Sequence, residues 1–537
     1  MKLFESSYKI DGKYYARLYD TEKNETITEE YSSKYEYYTP NNKGIYKCIT
    51  DNVKLDKHLG FYKDTQGQYG VFNPTDRYIR DNHWKKSFNH TPRIWYLDIE
   101  TRATRNEFPV PEKALEEISL IQIYDNKTKV MYVLGLKDFI QQEGYETEFD
   151  TKYIKCKNEK HLLEVYCLLF KKMNPLILYA WNGQNFDYPY IFNRLKYNNI
   201  STNLMSNYNS ANITTFKDDN NRTLFDISID GHYYLDLMLV YKKFTFGNLP
   251  SYSLDSISKL ELNDSKVEHN EFIDFDSFYT GKNYEISKTP YNDRIREEIR
   301  QLKILEKNKT ITKEQETRLD ELISFQFVYY GIKDVFLLKK IDDKKNFTNI
   351  MISISETLGC EVCDTLGTIK PWGNGLKNTY YEKNLVVPPK QFFETVNVAG
   401  GYVRYPVTGI HEWMLSEDVN SMYPMLSMEG FNMSPETYIP LERLPEDIKK
   451  HIYEYYNDQD ESKLLTYSEE IKEKTKELLK KYNYAMGING AIFDRSVHGV
   501  VPQMVSDIYY GRKKDKKEML KYEQQVEIIN DILRTRK

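Results

Sequence analysis

From Ile94 to Glu100 the chain reads I-W-Y-L-D-I-E, an apolar strand pattern broken by two acids. Side chains alternate along a strand, so Asp98 and Glu100 share one face while Leu97 and Ile99 share the other. Shorter β-prone runs follow at Ile118–Tyr124 and Lys129–Leu134. Leu162, Leu163, Tyr166, Leu169, Phe170 and Met173 then recur at the i, i+3, i+4 spacing of a helix with one buried face. A strand at Leu176–Ala180 leads into W-N-G-Q-N-F-D-Y-P-Y (181–190). Its turn residues place Asp187 just after a strand and just before a helix that starts near Pro189. The order strand, strand, helix, strand, helix predicts a mixed sheet with helices packed on it.

Beyond this region, Phe216 to Ile227 reads as a hairpin with the polar tip Lys217–Arg222, or as a plain surface turn. Leu235–Phe246 and the N-L-P-S-Y-S-L stretch after it turn into further helix, and 289–340 is mostly helical with many i, i+4 acid–base pairs. Near the end of that span Tyr330 and Asp334 are four apart, one above the other on a helix. Residues 343–385 read as mixed structure. Leu415–Pro424 (L-S-E-D-V-N-S-M-Y-P) reads as a strand ending abruptly in a turn, with Asp418 at its end. Residues 443–484, dominated by charged helix formers, read as a solvated insertion. Val500-Val501-Pro502 opens a last helix, Pro being tolerated in a first turn. The first 94 residues, rich in Tyr, Lys and Asn, read as a β-rich module without evident chemistry.

At 537 residues the chain is too long for one core. Its net charge of −5 means that any nucleic-acid contact must come from local patches. One such patch is Gly511–Lys521, with six basic and two acidic residues. Arg512 and Lys516 share a helix face there, either simply solvated or as a fork donor and point charge for triphosphate oxygens. Five cysteines in no even framework point to a reducing compartment, and C-x-x-C at Cys360 and Cys363 lacks the further ligands of a zinc site. No run reaches membrane-spanning length.

Two carboxylates side by side on a buried strand repel each other and lose hydration, which is costly unless a cation lies between them. An edge strand with a solvated acidic face is the alternative. Asp98, Glu100, Asp187 and Asp334, with Tyr330 to position a water, fit two-metal phosphodiester hydrolysis by Mg²⁺. Tyr330 and Asp334 alone would equally suit an ordinary hydrogen-bonded pair on a helix.

These residues carry a resemblance. Asp98-Ile99-Glu100, Asn182 to Asp187 and Tyr330 to Asp334 resemble the three motifs of the 3′–5′ proofreading exonuclease of family B DNA polymerases. Asp418 to Pro424 (D-V-N-S-M-Y-P) resembles that family's polymerase motif A. Leu235-Asp236-Leu237, the stretch from Phe246 to Ser253, Ser434-Pro435-Glu436-Thr437 and the Arg512–Lys516 helix resemble the replicative polymerases of T-even-type tailed phages.

The resemblance implies a multidomain α/β fold. Its parts would be an N-terminal β-rich domain (1–94), a ribonuclease H-like exonuclease domain (95–342), a return to the N-terminal domain (343–385), a partial palm (386–498) and a partial fingers helix (499–537). It further implies that Asp98, Glu100, Asp187 and Asp334 bind the exonuclease metals and that Tyr330 orients the attacking water. Asp418 would hold the polymerase metals with the Val419 carbonyl, while Ser421 and Met422 backbone N–H groups face the triphosphate. Tyr423 would stack under the sugar, Arg512 and Lys516 would grip phosphates, and the Lys217–Arg222 tip would help part primer from template. The cofactor would be Mg²⁺, two per site, with Mn²⁺ as a substitute. The partners would be primer–template and single-stranded DNA, dNTP, and a sliding clamp, in the cytoplasm of an infected bacterium.

The pattern departs from the family after Arg512, where neither K-x-x-x-N-S-x-Y-G nor D-T-D-S occurs. The expectation is therefore the N-terminal subunit of a split polymerase that polymerises only with a separate C-terminal chain, through which the clamp would bind. A non-catalytic DNA-binding scaffold and a truncated polymerase are the alternatives. Val526, Ile528, Ile529, Ile532 and Leu533, at helical spacing, either await that partner or pack within the chain.

Overall fold

The chain opens with an antiparallel meander, β1 (Lys2–Ile10), β2 (Lys13–Asp20) and β3 (Glu25–Tyr31). Asp11 and Gly12, both left-handed, make the tight turn between the first two strands, where glycine carries no steric penalty. A second antiparallel pair, β4 (Tyr35–Asn41) and β5 (Gly44–Thr50), follows. After β6 (Tyr69–Phe72), α1 (Pro74–Asn82) packs Ile79 against Phe4, Ala16 and Leu18. This computed structural model describes residues 1–41, 44–50, 69–86, 90–102, 108–145, 148–218, 221, 223–245, 247–289, 293–387, 404–455, 467–487 and 490–535. They group as two compact units, 1–61 with 71–375 and 62–70 with 376–537.

The first unit is built on a six-stranded mixed sheet. Its strands are β7 (Ile94–Thr101), β8 (Ile118–Asp125), β9 (Val130–Gly135), β10 (Asp150–Lys155), β11 (Ile177–Ala180) and β14 (Tyr233–Asp236), in the order β10-β9-β8-β7-β11-β14. The β7–β8 and β8–β9 pairs are antiparallel, and the other neighbours are parallel. A separate hairpin, β12 (Ala211–Lys217) and β13 (Thr223–Ile229), stands where a hairpin is expected, although Asp219, Asn220 and Arg222 of its expected tip lie outside the described residues.

Helices cover both faces of the sheet. Trp95, Leu97 and Ile99 of β7 pack with Leu162, Leu163, Tyr166 and Phe170 of α2 (Glu159–Met173) and with Ile191 and Leu195 of α3 (Asp187–Tyr197). Ile94 and Tyr96 face the other way. They share a core with α4 (Leu237–Phe244), α5 (Leu254–Leu262), α6 (Phe275–Thr280) and Val328, Ile332, Val335 and Leu338 from the long α8 (Lys313–Lys345). Between α6 and α8, α7 (Arg294–Lys307) forms a satellite core with Leu319, Leu322 and Ile323. A capping box, Thr312 with Gln315, starts α8.

The 343–385 stretch, expected to be mixed, is helical over α9 (Phe347–Leu358), a 3₁₀ turn at Val362–Leu366 and α10 (Ile369–Glu382). Its glycines play two different parts. Gly359 ends α9 in a left-handed turn, but Gly373 has open space around it and interrupts nothing.

In the second unit, α11 (Met422–Met425) runs into a wider helical turn, Leu426–Phe431, and that turn packs on α14 (Val500–Thr535). The 443–484 stretch differs from a solvated insertion. Ile448 and Ile452 of α12 (Glu446–Tyr455) and Leu478 of α13 (Glu469–Tyr482) close a core with Leu444 and Ile492. The charged residues occupy the outer faces, and three or four apolar positions at helical spacing suffice for the inner one. The core rests on a small antiparallel sheet ordered β15 (Tyr438–Ile439), β17 (Ile492–Asp494), β16 (Tyr484–Met486). Among the described residues no helix is long and apolar enough to cross a membrane.

Candidate metal centre

Because β7 alternates, Asp98 and Glu100 point to the side of the sheet that α8 covers, and Asp334 comes down from α8 to meet them. Carboxylate oxygens of Asp98, Glu100 and Asp334 all lie within 4.8 Å of one another. Asp187, the first residue of α3, adjoins the group and is 2% exposed. The Asp98 charge raises its pKa, and its own charge raises that of Glu100. The structure thus brings Asp98, Glu100 and Asp334 into one cluster, with Asp187 near enough for its charge to act on Glu100.

A close helix–sheet approach makes this meeting possible. Asp98 is the cross-strand partner of Gln122, and α8 passes over that pair at Gly331. A β-carbon at Gly331 would stand 1.7 Å from Gln122 Nε2, so any larger residue there would have to displace the Gln122 amide. Tyr330 and Asp334 flank the contact on the same helix. The Tyr330 ring meets His269, Phe275 and Phe278 edge-on, with centroids 5.5–5.9 Å apart.

The electrostatics are those of carboxylates short of cations. Burial first, and the neighbouring negative charges second, hold Asp98, Glu100 and Asp187 above the ordinary carboxylate range. Burial also raises Asp334, against the pull of Lys266. Lys266 Nζ lies 2.5 Å from Asp334 Oδ2 and 5.0 Å from the centre of the Tyr330 ring. One buried oxygen of Asp187 and one of Asp334 have no hydrogen-bond partner among the described residues. An all-oxygen set of this kind suits hard divalent cations such as Mg²⁺ or Mn²⁺, and the orphaned oxygens are the atoms such an ion would satisfy. The residues present fit the metal.

Three contributors to the site were not expected from the sequence, although Asp236 lies in the Leu235-Asp236-Leu237 stretch that carries part of the resemblance. Lys266 is a lone base on a loop. Gln122 is one polar residue in an apolar strand, with both amide atoms buried and unpartnered among the described residues. Asp236, 2% exposed, ends β14 and caps α4, accepting from Met238 N at 2.9 Å and from Asn182 N at 3.0 Å. Burial pushes it up to about 6.

Asp418 stands apart from this picture. The expected strand at Leu415–Pro424 is not formed: 414–419 have no regular secondary structure, and the short helix α11 starts at Met422. A strand requires a hydrogen-bonding neighbour, and the chain offers this stretch none among the described residues. Leu415 is 82% exposed, with Val419 and Tyr423 also open, and no described carboxylate joins Asp418 in a cluster. Ser421 takes a left-handed backbone just before α11. Arg512 and Lys516 are exposed on α14. The S-P-E-T stretch has a structural task, since Glu436 and Ser434 accept from the Val500 and Val501 amides and so cap α14.

Comparison with known proteins agrees with this geometry. The family model described as DNA polymerase family B, exonuclease domain, matches residues 62–257. The chain is 25% identical to the DNA-directed DNA polymerase of Escherichia phage RB69 and 24% identical to that of Enterobacteria phage T4. Each alignment covers 85% of this chain and 46% of the relative. DNA polymerase 1 of Pyrococcus abyssi is 21% identical over 54% of this chain and 32% of its own length. The chain therefore spans about half the length of the phage relatives it matches.

Proposed function

We propose that this chain is a metal-dependent 3′–5′ exodeoxyribonuclease and the N-terminal, proofreading part of a phage-type family B DNA polymerase. The observation that carries the reading is the convergence of Asp98 and Glu100 from β7, Asp334 from α8 and Asp187 from α3 in a region that overlaps the exonuclease match. A ribonuclease H-like exonuclease domain is the fold this reading assigns to the six-stranded sheet.

In this reading the four carboxylates hold two Mg²⁺ ions, or Mn²⁺ in their place. Bound there, the pair would supply an acidified water and neutralise charge on the leaving oxygen. The chain's own residues do the remainder. Tyr330, with its ring fixed by His269, Phe275 and Phe278, presents a phenol beside Asp334 to orient the attacking water. Burial keeps the phenol protonated by raising it well above its ordinary value. Lys266 balances part of the negative charge and would face the scissile phosphate. The walls around the carboxylates exclude bulk water and so strengthen each of these interactions.

Polymerisation belongs to the same proposal. Asp418, the Val419 carbonyl, the Ser421 and Met422 amides, Tyr423, Arg512 and Lys516 form one half of a nucleotidyl-transfer site. The second carboxylate and the clamp contact would come from a C-terminal part of the polymerase, with dNTP and primer–template DNA as substrates. The domain limits proposed are 1–94, 95–342, 343–385, 386–498 and 499–537, with the last two as partial palm and partial fingers.

The test uses the purified chain with 5′-labelled single-stranded DNA and Mg²⁺. Stepwise shortening from the 3′ end that stops on adding EDTA is expected. Intact DNA overturns the nuclease reading, and template-directed extension by this chain alone overturns the half-site reading of polymerisation.

A further inference from the structure

The turn that delivers Asp187 joins α3 through backbone bonds but has no side-chain N-cap. Phe186, at the N-cap of α3, makes no side-chain capping bond. Asn182 takes a left-handed backbone with φ 62°, and its carbonyl accepts from the Asn185 and Phe186 amides, both at 3.1 Å. The Asn182 amide points the other way, to Asp236 Oδ1 at 3.0 Å. That same oxygen accepts from Met238 N at the start of α4. One buried carboxylate oxygen thus ties the end of β14 to Asn182, five residues ahead of Asp187, while Oδ2 has no described hydrogen-bond partner.

We infer that Asp236 is a positioning residue for the candidate metal centre, holding the Asn182–Phe186 turn so that Asp187 meets Asp98 and Glu100. This rests on the metal-dependent reading above. A helix cap alone does not account for the residue. Serine caps as well as aspartate does, without burying a charge, but its hydroxyl is one bond shorter and cannot serve the α4 cap and the Asn182 amide together. Asparagine keeps the reach and the acceptor and loses only the charge.

Two variants of the full chain separate these roles, with Mn²⁺ as the probe followed by electron paramagnetic resonance, and thermal midpoints measured without metal. Asp236→Ser should keep its midpoint within a few degrees of wild type and bind Mn²⁺ about 10–100-fold more weakly, the usual scale for outer-shell partners of a metal site. Asp236→Asn, the conservative rescue, should recover most of that loss. Wild-type affinity in Asp236→Ser would overturn the inference. So would equal losses in both variants, since charge rather than reach would then matter. A wild-type chain that binds Mn²⁺ yet leaves DNA intact would overturn the nuclease reading while the affinity comparison stands.

Discussion

Asp98, on a central strand, and Asp334, on the helix that crosses it, place carboxylate oxygens within 4.8 Å of each other although most of the domain's sequence lies between them. Burial raises the cost of ionising each, and the Asp334 charge raises that of Asp98 further. Lys266 offsets part of that cost through Asp334. The cluster is therefore costly to ionise, and a cation held there would offset that cost.

That relationship sets a pH dependence. The clustered carboxyls sit above their unfolded-state values, so between the two ranges the native chain holds more protons than the unfolded one. Stability is then greatest at the acid side of that window and falls as the pH rises through the raised values. Mg²⁺ or Mn²⁺ in excess should lift the thermal midpoint by several degrees at pH 8 and by much less at pH 5. An equal lift at both pH values, in a thermal scan of the full chain, would count against the carboxylate site.

Asp98→Ala should lower single-strand degradation by about a thousandfold or more, because several kcal/mol of charge stabilisation goes with the metal. Asp418→Ala should leave degradation near wild type while abolishing extension by the assembled polymerase. Timed gels with labelled single strands and primed templates read both outcomes.

Gly331→Ala sets a methyl group against the buried Gln122 amide, which would have to shift. Overpacking of this kind costs about 1–3 kcal/mol, and here it also lifts Tyr330 and Asp334 from the sheet. Denaturant unfolding should show the loss and nuclease assays a parallel fall. Adding Gln122→Ala should restore part of both, since the two changes meet at one contact. No recovery in the double variant would place the effect elsewhere.

His83 packs beside Phe4 and Tyr78, with ring centroids 5.5 and 5.3 Å away, and burial lowers it to about 4. The unfolded chain therefore takes up a proton near pH 6.5 that the folded chain refuses. Stability is full above that pH and is lost as the pH falls towards 4, by on the order of 1–2 kcal/mol. His83→Phe should flatten the decline between pH 7 and 4.5 in urea titrations. An unchanged slope would shift the acid sensitivity to His90, which burial also lowers to about 4.

Much of the first unit was legible in the residues themselves because its signals are local. The I-W-Y-L-D-I-E run needs only period two to put its acids on one face, and the α2 stripe needs only the helical period to choose its buried side. The F-D-Y-P turn between β11 and α3 follows from breaker residues alone. Local pattern misled where an element depends on a distant neighbour. Leu415–Pro424 has strand-like residues but no strand to pair with among the described residues, and 443–484 hides a small core behind its charges. Tertiary structure alone decided the rest. Lys266 reaches Asp334, Asp236 reaches Asn182, and Gly331 makes room over Gln122, each through a contact between segments far apart in the chain. Side-chain periodicity is a property of a few consecutive residues, whereas the distance between a strand carboxylate and a helix carboxylate exists only once the two surfaces have packed.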